Sequence, residues 1–225
     1  MIEHWISALR CPARFALLAV VSVLLCGQTP AHTPPFSADL VVQQGSAAPA
    51  PAGRLFVLDD KVRIETTELA DGFFLIDGTK PAAYFVRPAV RIYMDARRST
   101  RLTSLFVPVD PGDPCPRWQA LARLADAADM GDWRCEPLGE QTIGDRKTIA
   151  YRAISAEREQ FTGWIDPVRK FPVRIKMADD AIITAENVRD EAQPSQSWEI
   201  PSNFRKFDPE SLLRQIKQSD VWVAP

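Results

Sequence analysis

Residues 163–176 read GWIDPVRKFPVRIK. Val173, Ile175 and Met177 fall on one parity and Arg174 and Lys176 on the other, which is the period-two pattern of a strand with one covered and one wet face. Asp166 and Pro167 carry turn chemistry, since an Asp side chain bonds its own backbone two residues on and Pro presets φ. The stretch therefore predicts a hairpin with a proline-led return strand, its basic residues facing water and not forming a patch for an anionic partner. Trp164 is the open position, because its side of the sheet decides whether it is core or pocket.

The same grammar extends in both directions. Upstream, a strand over 36–43 is followed by a Gly/Ala/Pro/Ser stretch over 44–53 that predicts a loop, and then by RLFVL, KVRIET, FFLI, AAYFV and AVRIYM, separated by DD, DGT and RP turn signals. In KVRIET, Val62 and Ile64 oppose Arg63 and Glu65. In VRIYM, Val90, Ile92 and Met94 oppose Arg91 and Tyr93, which leaves Arg91 exposed. RLFVL and FFLI are apolar on both parities, so those strands are covered on both sides or line a cavity. Downstream, WRCEPLG, TIGDRKTIAYRAIS with a Gly-Asp turn inside it, REQFTGWID, PVRIKM and AIITAENVRD continue the series.

Two segments break the β rhythm. RWQALARLADAADMG has strong helix formers with Trp118, Leu121, Leu124 or Ala125, and Ala128 at helical spacing and Gly131 as a stop, predicting a helix over 117–130, with a short helical turn upstream at SLF. Near the end, Asp208 as N-cap and Pro209 at the first position open a short helix with Leu212, Leu213 and Ile216 as its apolar face.

The chain has 225 residues, of which 46% are hydrophobic and 25% charged, with a formal net charge of −2. That composition suits one globular domain and gives no electrostatic reason to bind nucleic acid. Arg10 and Arg14 precede the apolar run FALLAVVSVLLCG, which is too short to span a bilayer, and Thr29 and Ala31 supply small residues for cleavage. Residues 1–31 thus read as a secretory signal peptide and 32–225 as a single mature domain in the periplasm. A lipid anchor on Cys26 is the second reading, although Leu25 stands where a small residue normally precedes a lipidated cysteine. Of the four cysteines, Cys115 and Cys135 remain after cleavage, and in an oxidising compartment they read as a disulfide worth ~3 kcal/mol.

Catalytic chemistry has little to stand on. The two histidines are His4, in the signal, and His32, at the expected mature terminus, so imidazole-based triads and zinc sites lack their residues. No GxSxG, P-loop or GxGxxG occurs. The acidic pairs Asp59/Asp60, Asp110/Asp113 and Asp179/Asp180 fall where turns are needed, and a carboxylate hydrolase would require two of them to face one cleft. No metal and no cofactor is expected. Aromatic residues are the surplus: Trp118, Trp133, Trp164, Trp198 and Trp222 with Phe56, Phe73, Phe74, Phe85 and Phe161 are more than one face of a flat sheet can hide.

A strand ending in RIE, then FFLIDG, then YFVRPAVRIYM, a central helix, GWIDPVRKFPVRIK and a closing WEIPSNFRKFDP, in that order and over most of 36–209, resemble the LolA-like superfamily of bacterial envelope proteins. The resemblance implies an α+β, mainly β fold: a strongly curved antiparallel sheet, an unclosed barrel, with two or three helices covering its concave face and a hydrophobic cavity between them. It further implies a monomeric, non-enzymatic protein that binds a lipid or lipoprotein acyl chain in that cavity, with Phe56, Phe74, Phe85, Ile92 and Trp164 as candidate walls. The alternative is an envelope interaction or sensor module that contacts a membrane-anchored regulator.

Overall fold

The structure is a computed structural model that describes residues 34–96, 102–124, 132–155, 160–192 and 198–209, together with 211. The residues read as a signal peptide, with Cys26 and the helical positions Leu212, Leu213 and Ile216, lie outside them, as does Trp222. The cap at the start of that last segment is present: the Ser211 N–H donates to Asp208 Oδ1 at 3.2 Å.

Among the described residues twelve strands build one unclosed sheet: β1 (Phe36–Gln44), β2 (Ala50–Leu58), β3 (Lys61–Thr66), β4 (Phe73–Asp77), β5 (Ala82–Arg87), β6 (Ile92–Asp95), β7 (Arg134–Ile143), β8 (Arg146–Ile154), β9 (Gln160–Asp166), β10 (Phe171–Met177), β11 (Ala181–Asp190) and β12 (Arg205–Lys206). Their spatial order is β12-β6-β5-β4-β3-β2-β1-β11-β10-β9-β8-β7. All neighbours are antiparallel except β12, which lies parallel to β6. Strand β1 is therefore central, with one meander of hairpins on each flank. The chain leaves the first meander at β6 and enters the second at β7, near opposite ends of the sheet. The connection has to cross a face, and its two described helices, α1 (Leu102–Leu105) and α2 (Cys115–Leu124), lie in that crossing.

Several expectations are met and several are corrected. The hairpin at 163–176 is β9–β10, and Ile175 is buried while Lys176 is exposed. Arg169 is not a solvent-facing residue: its side chain is 17% exposed, and it donates to Asp166 Oδ2 at 3.1 Å and to both oxygens of Asp190 at 2.7 and 2.9 Å. Asp166, itself buried, also accepts the N–H groups of Val168 and Arg169. Arg174 is half-buried, with its Nε on Thr184 Oγ1 at 3.2 Å. The loop expected over 44–53 ends earlier, because Ala50–Gly53 joins β2; a register shift between Leu40 and Val41 accommodates the proline there. Val90 leaves the strand face that its parity predicts, since Pro88–Val90 forms a 3₁₀ turn and Arg91 adopts φ 52° before β6 begins.

WRCEPLG and the following residues form one ten-residue strand, β7, with a bulge between Pro137 and Gly139. Helix α2 starts at Cys115, two residues before the expected start, because Pro116 costs no hydrogen bond in a first turn; residues 125–130 are outside the description. The short upstream turn is α1. The Cys115–Cys135 disulfide ties the start of α2 to β7.

The face crossed by the helices holds the main core. Trp118 of α2 is fully buried, donates its Nε1–H to Leu105 O at 3.0 Å and meets Phe161 edge-on at 4.9 Å. Its ring sits directly on Gly163, where a Cβ would stand 2.7 Å from Trp118 Cη2, so glycine is required by close approach. Phe106 and Phe171 pack in the same cluster as Leu40, Val62 and Ile76. Arg117, one residue before Trp118, donates to Gly78 O and to Asp60 Oδ1, fastening α2 to two turns of the first meander.

Candidate functional site

The second face of the first meander carries a separate apolar cluster. Leu75, Val86 and Trp198 are buried there, with Phe56, Leu58, Phe73, Tyr84, Tyr93, Ile200 and Phe204 packed around them. Strand parity explains it: Val62, Ile64, Phe74, Ile76 and Phe85 turn to the helix side, so their immediate neighbours turn to the other. Arg63 lies over the Phe73 ring at 3.7 Å and Arg54 near the Phe56 ring at 5.1 Å, while Tyr84 and Tyr93 meet edge-on at 5.7 Å. An apolar surface of this kind on an outer face needs a cover.

The cover is a strap, residues 198–207. Trp198 anchors one end, 3% exposed, with the Lys61 ammonium 3.5 Å from its carbonyl oxygen. The other end is clasped to the sheet edge as β12, where the Arg205 N–H donates to Arg91 O at 2.9 Å and the Phe207 N–H to Tyr93 O at 2.7 Å. Between strap and sheet runs a groove of about 460 Å³ lined by Leu75, Tyr84, Tyr93, Ile200 and Phe204, with Lys61, Asp77 and Glu199 supplying charge. Asp77 is a fixed anion: burial would raise its pKa, but the Thr79 hydroxyl, the Thr79 and Lys80 N–H groups and the Lys61 charge together lower it. The Trp198 Nε1–H is buried and has no acceptor among the described residues.

The five residues that the sequence offers as pocket walls do not share one wall. Phe74 and Phe85 stack 5.0 Å apart inside the main core on the helix side. Ile92 is half-buried and shares a strand parity with Met94, which packs on that core. Phe56 belongs to the strap-side cluster. Trp164 is on the face away from Trp118, and its Nε1–H donates to Gln141 Oε1 at 2.8 Å. The strap is the element that sequence reasoning misses: Trp198 stands there as one surplus aromatic among several, and only the parity of Tyr84 and Tyr93 against Phe85 and Met94 points to a second cluster.

The acidic pairs all sit in turns. Asp59 and Asp60 close β2–β3, the Gly112 N–H donates to Asp110 Oδ1 at 2.8 Å, and Asp180 pairs with Lys176 at 3.0 Å. Among the described residues no three His, Cys, Asp or Glu side chains are grouped to hold a metal ion, and no helix is long and apolar enough to cross a membrane. A second, smaller depression of about 280 Å³, lined in part by Arg152, Thr162, Lys176 and Met177, has its lysine already paired with Asp180.

No family model and no curated protein matches the sequence. Among solved structures several match the chain at low identity. A conserved protein from Thermus thermophilus is 12% identical with a TM-score of 0.44, over 78% of this chain and 90% of that one. A domain named for outer membrane lipoprotein sorting, from Vibrio parahaemolyticus, is 10% identical with a TM-score of 0.36, over 75% of this chain and 91% of that one. MucB of Pseudomonas aeruginosa, in its complex with MucA, is 9% identical with a TM-score of 0.42, over 77% of this chain and 58% of that one.

Proposed function

We propose that the chain is a non-enzymatic binding protein of the cell envelope, delivered to the periplasm by a signal over residues 1–31, whose mature part, 32–225, holds a hydrophobic ligand in the groove beneath the strap. One observation carries the reading: the helix-side face is packed with the protein's own Trp118, Phe106 and Phe171, whereas the strap leaves an open groove over an aromatic surface. Burial of apolar atoms against Leu75, Tyr84, Tyr93 and Phe204 would supply affinity at ~25 cal/mol per Å². The Cys115–Cys135 disulfide is consistent with an oxidising compartment.

The test is displacement of a fluorescent apolar probe from the purified mature chain, compared with Tyr84→Ala and Tyr93→Ala. Both side chains are half-buried at the groove and outside the main core, so the variants keep the fold while weakening the probe by about tenfold. Equal binding by both variants and the unaltered chain would sink the reading. A ligand retained through gentle purification, seen by native mass spectrometry, would identify the natural occupant.

A further inference from the structure

Resting on the groove reading, the structure points to a more specific occupant: we propose that the strap is a displaceable stand-in for an extended segment of a partner protein, which takes the strap's place across β3–β6 and presents a bulky aromatic side chain to the site now filled by Trp198. The face already holds a peptide, its own. Residues 198–207 run across it with Trp198, Ile200 and Phe204 seated in the apolar cluster and with backbone hydrogen bonds to the edge of β6. A partner strand needs the same two elements, an edge to pair with and pockets for alternate side chains.

The strap is held in a way that lets it leave. Its ladder on β6 is two residues long and parallel, the less stable pairing, whereas β6 itself runs to Asp95. Its anchor carries a defect: the Trp198 Nε1–H is buried without an acceptor among the described residues, a destabilising state that a different occupant, or a shifted strap, would relieve. Its fit is incomplete, as the groove under it shows.

The lining chooses a peptide over an acyl chain. Lys61 of β3 and Asp77 of β4 line the groove beside the aromatic residues and stay when the strap leaves. An acyl chain would desolvate both charges and leave the Lys61 ammonium without the carbonyl it now meets at Trp198, while a polypeptide offers a backbone carbonyl in its place and apolar side chains to Leu75, Tyr84 and Tyr93.

The experiment uses a labelled synthetic peptide, WEIPSNFRKF, added in trans to the mature full-length chain and to two strap variants. Trp198→Ala empties the anchor site. Arg205→Pro removes the N–H that bonds Arg91, at an exposed residue that contributes nothing to the core, and so stays informative if the first variant folds poorly. By fluorescence polarisation the peptide should bind either variant about tenfold more tightly than the unaltered chain, and the same peptide with alanine for tryptophan should lose that gain. Equal, weak binding of both peptides to all three chains overturns the proposal. If lysophospholipid binds the groove and responds to Tyr84→Ala while the peptide does not bind, the peptide inference falls and the hydrophobic-ligand reading stands. If neither binds, both fall.

Discussion

Replacing Gly163 with alanine adds one methyl group against the core, 2.7 Å from Trp118 Cη2, 3.1 Å from Cζ2 and 3.3 Å from Ile175 Cδ1. Elsewhere in a strand the exchange would stabilise by ~0.5–1 kcal/mol through the unfolded chain. Here the ring has no room to retreat, since it is fully buried, tethered through Nε1 to Leu105 O and packed against Phe161. Overpacking of this kind costs ~1–3 kcal/mol; with ~2 kcal/mol for a fully enclosed ring, the net loss is about 1–1.5 kcal/mol and the fall in Tm roughly 2–6 °C for a chain of this size. Urea unfolding followed by circular dichroism measures it. The decisive comparison is a double-mutant cycle with Trp118→Phe, a smaller ring that costs stability alone but makes room for the methyl. The two changes together should cost less than the sum of the single ones by at least about 0.5 kcal/mol. A Gly163→Ala chain as stable as the original, or strict additivity with Trp118→Phe, would refute the seating of Trp118 on Gly163.

Removing the disulfide by Cys115→Ser with Cys135→Ser frees a loop of sequence separation 20 and should lower stability by about 3 kcal/mol, read as a Tm shift of roughly 10 °C that reducing agent reproduces in the unaltered chain. Asp39 has its pKa lowered below 3.8 mainly by the hydrogen bond from Arg189, with help from Asn187. A folded-state pKa below the unfolded one stabilises above the unfolded value and is lost as pH falls through the folded one, so Asp39→Asn should flatten the acid limb of the stability curve, compared by urea midpoints at about pH 7 and about pH 3. Arg169→Lys keeps a cation beside the buried Asp166 but gives up the fork that reaches Asp166 through Nη1 and Asp190 through Nη2, and should cost about 1–2 kcal/mol in the same assay.

Much of the sheet is written in local pattern. KVRIET alternates cleanly, and Val62 and Ile64 are fully buried while Arg63 and Glu65 are not. The Asp59, Gly144 and Asp180 turns follow from residues that tolerate a left-handed backbone. Parity is unreadable where both faces are covered: in RLFVL and FFLI nearly every residue is apolar, so nothing in the string separates Phe56 from Leu55 or Phe74 from Leu75, and a one-residue error moves a side chain through the sheet. Arg169 reads as exposed in the string because one of its partners, Asp190, lies on a different strand, and the pairing exists only once β11 is in place. The strap is invisible for a related reason. Its parallel contact joins Arg205 to Ile92, far apart in sequence, through two residues whose own pattern says nothing about a strand.

The bulge in β7 bears on how the molecule behaves at high concentration. A twelve-stranded open sheet ends in two rows of backbone groups, each a template on which a second copy could add a strand and start a fibre. At the β7 end, Pro137 lacks a donor and the Pro137–Gly139 irregularity bends the strand, with Gly139 at φ 92°. A neighbour laid along that edge would lose register within a few residues. The interruption acts as a gatekeeper against edge-to-edge aggregation, and the polar, exposed run from Gly139 to Thr142 beside it gives such an assembly little apolar area to gain.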